Sequence, residues 1–340
     1  MIKRNVEISE SQSIRLSNMT ILGTFLIMLM HLSYTGVPQD ALPKFVNDFT
    51  HLAVPMFFMV SGYLVAVKAE GAEWYKRLLQ HRIKSLVVPY FALNTLFIPF
   101  LYVHHNVLKI GNWVGGGMAV DWYAIKRIYG LTPEFHPSCG VLWYVRCLVM
   151  FIVITPLIMV PIRKSLSSCV FYISSFLLAL SLFESTQFAK DNWQFFYSFF
   201  SIRGLFYFSF GGLMSWVCMK DWKLRFLVGL FCLCGGLISG FVPYANALSQ
   251  LLFISGIWFL MPSVRMPVWV VSSCFALYVF HSPIYMVFNF LINKIEVVKY
   301  LVGAMPLFPF CITLVICYSM TFAIRNYCPR LGLILFGGRC

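Results

Sequence analysis

Acidic residues are scarce in this chain: Asp and Glu together number 12 among 340 residues, against 26 Lys and Arg. Charged residues of both signs make up only 11% of the sequence, where a soluble domain carries about 25%. With 60% hydrophobic residues beside that scarcity, an ordinary soluble domain is excluded and a polytopic membrane protein remains. The sequence also lacks any His and Cys spacing that would build a zinc site. Of its 11 cysteines most lie in or at the ends of apolar runs (Cys147, Cys232, Cys234, Cys274, Cys311, Cys317), and Cys232 and Cys234 stand too close for a CxxC pair. They read as small core residues, with Cys139 the clear candidate outside a span. No metal and no bound cofactor are expected. Transporter-type internal repeats, low-complexity segments and a C-terminal C-a-a-X signal are missing too. The first apolar run ends without a small-residue cleavage site, which makes it a retained span and not a signal peptide.

What is there is a series of apolar runs of hydrocarbon length, about 15–25 residues each. They are Asn18 to Tyr34, Phe45 to Val67, Ser85 to Tyr102, Val141 to Val160, Cys169 to Phe183, Phe195 to Val217, Phe226 to Phe241, Ala247 to Met261, Val268 to Ile292 and Tyr300 to Ala323. The expected fold is an all-α integral membrane protein of about ten transmembrane helices. Placing the N-terminus in the cytoplasm puts most of the Lys and Arg in cytoplasmic loops, among them Lys76, Arg77, Arg82, Lys84, Arg163, Lys164 and Arg225. This obeys the positive-inside rule and places both termini in the cytoplasm. The net charge of +14 is then mostly topology, and no nucleic-acid partner is expected. Residues 1–17 form a short polar cytoplasmic segment, read as an interfacial helix. Residues 18–323 form the ten-helix membrane domain, and residues 324–340 a basic cytoplasmic tail.

Ionisable residues inside these runs carry the functional signal, because charge in hydrocarbon is costly. His31 lies thirteen residues above Asn18, about 20 Å up the first helix, in the outer half of the membrane. In the second span, Pro55 frees a carbonyl that neighbours must satisfy, and Ser61-Gly62 allows close helix approach. The following loop (Glu70, Glu73, Lys76, Arg77, His81, Arg82, Lys84) is basic and suits a phosphate, although topology alone also asks for positive charge there. A long outer loop from His104 to Gly140 carries Trp113, Asp121, Trp122, Glu134 and His136, and loops of that length are usually functional. Arg146 follows Leu142-Trp143-Tyr144-Val145 at an outward helix end, Arg203 lies in the sixth span, and His281 lies in the ninth. No Asp or Glu lies deep in a span. The two arginines and two histidines thus point inward without evident counter-charges, which suits a hydrated cavity or an anionic ligand. Snorkelling to the interface is the competing reading for the arginines.

Six stretches stand out in order along the chain: Met28-Leu29-Met30-His31, Val54-Pro55-Met56-Phe57-Phe58-Met59-Val60-Ser61-Gly62-Tyr63-Leu64, Arg82-Ile83-Lys84-Ser85-Leu86-Val87-Val88-Pro89-Tyr90, Leu142-Trp143-Tyr144-Val145-Arg146 with Pro156, the Phe208 to Gly212 turn, and Leu277-Tyr278-Val279-Phe280-His281-Ser282-Pro283. Together they resemble acyltransferase family 3, the integral membrane acyltransferases that acylate sugars of bacterial surface polysaccharides. The resemblance implies a ten-helix fold that moves an acyl group, usually acetyl, from cytoplasmic acyl-CoA to a sugar hydroxyl. The family's catalytic first-helix histidine maps onto His31, and its donor-binding basic turn onto Arg82 and Lys84. One position departs: many members carry an arginine eleven residues before that histidine, where this chain has Thr20, with Arg15 further back. No extra esterase-like domain of the kind some relatives carry is expected.

Acyl transfer to a hydroxyl needs a base or a nucleophile and donors for a developing oxyanion. His31 is read as the general base, since no acidic partner is evident to orient it as part of a triad. Arg146, Arg203, His281 and Trp143 are candidates for the cavity, for oxyanion stabilisation or for substrate binding. The partners implied are membrane lipid, acetyl-CoA or another acyl-CoA as donor, and a glycan acceptor, with polysaccharide-assembly machinery as a candidate. The implied location is the bacterial inner membrane. The competing class is a transporter or flippase for an anionic glycan or lipid-linked intermediate. A catalytically silent assembly partner is a third.

Overall fold

The computed structural model describes residues 8–35, 37, 42–102, 122–133, 137–217, 221–240 and 246–337, and among them it contains helices and no strand. The part of the expected outer loop that holds Trp113, Asp121, Glu134 and His136 lies outside the described residues. Helix α1 runs over Glu10–Met30. It begins well before the first apolar residue of the span because Ser9 and Gln12 form a capping box: Gln12 N–H donates to Ser9 Oγ (3.3 Å) and Ser9 N–H to Gln12 Oε1 (3.0 Å). Residues 10–17 of the polar segment expected as an interfacial helix are therefore continuous with the helix of the first span.

The second span is two helices, α2 (Lys44–Thr50) and α3 (Ala53–Lys68), broken at His51-Leu52. The break places Pro55 in the first turn of α3, where its missing N–H has no helical partner to lose. The freed carbonyl expected from a mid-helix proline does not arise. Helix α4 (Trp74–Arg82) passes through a π turn at Ile83–Val87 into α5 (Val88–Tyr102), followed by the short α6 (Trp122–Ile128). Then come α7 (Trp143–Lys164), α8 (Leu166–Ser185), α9 (Gln187–Asp191), a π turn at Gln194–Phe199 and α10 (Ile202–Met214). The rest is α11 (Trp222–Gly240), α12 (Asn246–Leu260), α13 (Val268–Ile292), α14 (Glu296–Ala304), α15 (Phe308–Tyr327) and α16 (Pro329–Phe336).

Among the described residues 7 helical segments are long and apolar enough to cross a membrane: Glu10–Met30, Lys44–Lys68, Gly140–Lys164, Leu166–Ser185, Trp222–Ser239, Val268–Ile292 and Phe308–Tyr327. The chain is an all-α integral membrane protein. The three other expected spans are helices of 15, 13 and 15 residues (α5, α10 and α12). Helix α5 continues unbroken from α4 and the π turn before it, and α5 and α12 each reach an edge of the described residues. Helix α10, bounded on both sides within them, reaches about 20 Å at about 1.5 Å per residue, short of a hydrocarbon core of about 30 Å. For α10 the reason is local. Ser201 caps its start by accepting from Gly204 N–H (3.0 Å), and the preceding six residues are wound as a π turn.

Helix α10 lies against α3, α7 and α8 at the centre of the bundle, so its neighbours cover it. Phe206, Tyr207 and Phe208 are fully buried with Phe58 and Phe151 in the main core. The α3–α10 crossing is backbone on backbone. A Cβ on Gly62 would sit 1.8 Å from the Phe208 carbonyl oxygen, and one on Gly211 2.0 Å from that of Met59. Helices α8, α11 and α15 instead leave Phe171, Leu178, Phe231, Leu237, Val315 and Phe322 exposed, as a lipid-facing surface requires. The chain beyond α15 turns back, so that Leu335 and Phe336 of α16 are buried and α16 packs on α5.

Candidate active site

A cavity of about 300 Å³ opens between α1, α3, α7, α10, α12 and α13. Each helix brings a polar or aromatic group to its wall: His31, Trp143, Tyr144, Arg203, Tyr207, Gln250 and Tyr278, with His51 from the break between α2 and α3. Its size suits a small-molecule ligand, for which sites of roughly 300–1,000 Å³ are usual.

His31 is the C-cap of α1, its N–H donating to Ile27 O at 3.1 Å. The helix therefore ends at the cavity and presents the imidazole to it. The His281 ring stacks on that of His31, with ring centroids 5.3 Å apart and planes 21° from parallel; the Tyr34 ring sits 4.8 Å from His31. His281 is fully buried and its Nδ1 meets Leu277 O at 2.9 Å. A carbonyl can only accept, so Nδ1 carries the proton and Nε2 is left with a free lone pair. His281 is a support for His31 and not part of the cavity wall.

Arg203 lines the cavity, but it is not the unpaired cation expected. Its Nε and Nη2 donate to Glu184 Oε1 (2.8 Å) and Oε2 (2.7 Å) in a bidentate pair. Glu184 comes from the last turn of α8, nineteen residues earlier, and only the packing of α8 on α10 joins them. Arg146 is buried and does not line the cavity: Nη1 donates to Gly130 O, and the guanidinium lies over the Phe199 ring at 4.7 Å. It ties α7 to the segment before it. Trp143 stacks on Tyr197 (5.9 Å between centroids, planes 24° apart) at the cavity wall.

The two residues of the basic turn part company. Lys84 is exposed, whereas Arg82 is half-buried and its Nε is buried with no hydrogen-bond partner among the described residues. Burial lowers the Arg82 guanidinium from its ordinary pKa, and the nearby Tyr144 phenol acts in the opposite direction. Tyr144 lines the His31 cavity. Its ring is held by Phe57, Phe58 and Tyr278, and its hydroxyl pairs with Ser61 Oγ at 3.2 Å. Thr20 is turned onto its own helix, its hydroxyl donating to Leu16 O (3.0 Å), and Arg15 stands beside Arg225, Tyr63 and Trp258 around a cleft of about 30 Å³. Sixteen residues from His31, Arg15 is about 24 Å down the helix and does not share its cavity. Burial pushes the Cys139 thiol up, so it supplies no thiolate nucleophile.

Four groups of this site had not been singled out from sequence: Tyr144, Glu184, Tyr207 and Gln250. Tyr144 adjoins Trp143 and Arg146 in one short motif and was legible there. Tyr207 and Gln250 meet only across helices, at 2.8 Å between Tyr207 Oη and Gln250 Oε1.

Comparison with known proteins returns one family. The family model described as an acyltransferase domain, that of acyltransferase family 3, matches residues 15–324. No curated protein and no solved structure matches the chain.

Proposed function

The chain belongs to acyltransferase family 3, a family of membrane acyltransferases, and on that premise we propose that it is an O-acyltransferase. It moves an acyl group, acetyl in the first instance, from cytoplasmic acyl-CoA to a sugar hydroxyl of a surface polysaccharide or its lipid-linked precursor. It does so in the bacterial inner membrane, with both termini cytoplasmic. The observation that carries this reading is His31 at the wall of a cavity that it shares with Trp143, Tyr144 and Arg203.

His31 takes the proton of the acceptor hydroxyl as its oxygen attacks the thioester carbonyl. The tetrahedral oxyanion collapses with cleavage of the C–S bond. His31 then returns the proton to the leaving thiolate, giving ester and CoA thiol. The C-terminal end of α1 presents partial negative charge to the imidazolium formed on the way, and the neutral His281 ring stacked on it holds its orientation. Tyr144 O–H, which lines the same cavity as His31, serves the oxyanion. Arg82 takes a CoA phosphate, a role supported by its half-buried guanidinium, whose Nε has no hydrogen-bond partner among the described residues. Lys84, exposed, contributes only long-range attraction. Trp143 and Tyr197 give the acceptor a stacked aromatic wall.

The test is thiol release from acetyl-CoA by the purified chain with a crude glycan acceptor. Release by wild type and not by His31→Ala supports the proposal. No release by wild type under any acceptor, with transport of a labelled glycan lipid into vesicles, supports the transporter reading instead.

A further inference from the structure

A second polar groove lies away from the acyl-transfer cavity and is independent of it. Between the start of α13 and the end of α15 a cleft of about 340 Å³ is lined by Trp269, Ser272, Tyr318, Ser319, Phe322 and Arg325. Arg325 Nη1 donates to Ser272 Oγ at 3.4 Å, and the Ser272 hydroxyl donates on to Trp269 O at 3.3 Å. Among the described residues Arg325 forms no ion pair. A neighbouring cation at the same end of the bundle, Arg265, is instead neutralised by Glu10. The groove therefore keeps one full positive charge with hydroxyls beside it.

Its other wall is apolar and aromatic. Trp269 and Tyr318 meet edge to face at 4.9 Å, and Phe322 is 64% exposed. Phe322 and Tyr318 lie three and seven residues back from Arg325, about 5 and 10 Å nearer the middle of α15. One groove thus runs from a guanidinium at a helix end to aromatic surface within the apolar span. We propose that it binds one anionic phospholipid, the phosphate on Arg325 and Ser272 and an acyl chain along Tyr318 and Phe322. A guanidinium takes a phosphate bidentately, and the bilayer presents phosphates at the level where spanning helices end.

The experiment is native mass spectrometry of the full chain in a neutral detergent, titrated with phosphatidylglycerol or phosphatidylcholine. Wild type is expected to hold one phosphatidylglycerol at roughly tenfold lower concentration than phosphatidylcholine, the worth of a charge-assisted contact. Arg325→Gln removes that difference, Arg325→Lys keeps part of it, and Arg265→Gln leaves it intact. Gel filtration checks that each variant is folded. Should Arg325→Gln fail that check, Ser272→Ala asks the same question, with a few-fold loss expected. Equal binding of the two lipids by wild type overturns the proposal, as does unchanged binding by folded Arg325→Gln. Complete displacement by an equal concentration of inorganic phosphate overturns the lipid assignment and makes this a free-phosphate site.

Discussion

Replacing Gly62 with Ala tests the crossing that positions the cavity. The added Cβ would lie 1.8 Å from the Phe208 carbonyl oxygen, 2.6 Å from its carbon and 3.0 Å from its Cα. All three are backbone atoms of α10, so no rotamer change relieves the contact and the helices must separate by about 1.5 Å to reach ordinary van der Waals distance. Overpacking a close-packed interior costs about 1–3 kcal/mol, and a backbone clash belongs at the upper end of that range. A melting temperature lower by about 5 °C or more is expected in detergent, read by intrinsic fluorescence. Gly211→Ala, meeting Met59 O at 2.0 Å, should behave alike. Gly235→Ala is the control. Its nearest neighbour is Leu252 Cδ1 at 3.4 Å, an ordinary contact, and the gain in helix propensity of about 1 kcal/mol should raise the melting temperature slightly. Because α3 and α10 carry Pro55, Phe58, Arg203 and Tyr207 at the cavity wall, surviving Gly62→Ala protein should also lose most of its activity. Wild-type stability in Gly62→Ala and Gly211→Ala together would refute the reasoning.

Glu184→Gln should destabilise by about 1 kcal/mol, because the pair it breaks is bidentate but about 30% exposed on each side. In a double-mutant cycle with Arg203→Met the two losses should be less than additive, and strict additivity would show that the pair contributes nothing. Arg82→Gln should raise the KM for acyl-CoA about tenfold while Lys84→Gln stays within twofold, since Arg82 is half-buried with its Nε unsatisfied among the described residues and Lys84 is exposed. Equal effects from the two would assign the basic turn a purely long-range role. Tyr144→Phe should lower kcat at nearly constant KM if its hydroxyl serves the oxyanion, and a change in KM alone would place Tyr144 in binding.

The helical, membrane-embedded fold was legible because hydropathy follows directly from composition, and seven of the expected spans stand as long apolar helices. Three do not. Hydropathy gives the length of an apolar run but not where a cap or π turn restarts the helix, as Ser201 does before α10. Pro55 shows the same limit, since its meaning depended on a break at His51 that no apolar pattern marks. Within the site, His31 was legible as an ionisable group in a hydrocarbon run. The roles of the two arginines were not. Arg203 is answered by Glu184 from the end of another helix and Arg146 by a carbonyl and a ring, contacts that exist only after packing. His281 and His31 share a chemistry but not a cavity wall, and only the stacking of α13 on α1 separates their positions.

The central claim is that His31 is the general base for acyl transfer to a glycan. Its most direct test is the acyl content of the cell's surface glycan, by mass spectrometry, in cells carrying wild type or His31→Ala at matched membrane levels. The account predicts an acetyl-sized mass increment that is present with wild type and absent with His31→Ala. Undiminished acylation in the variant would contradict it.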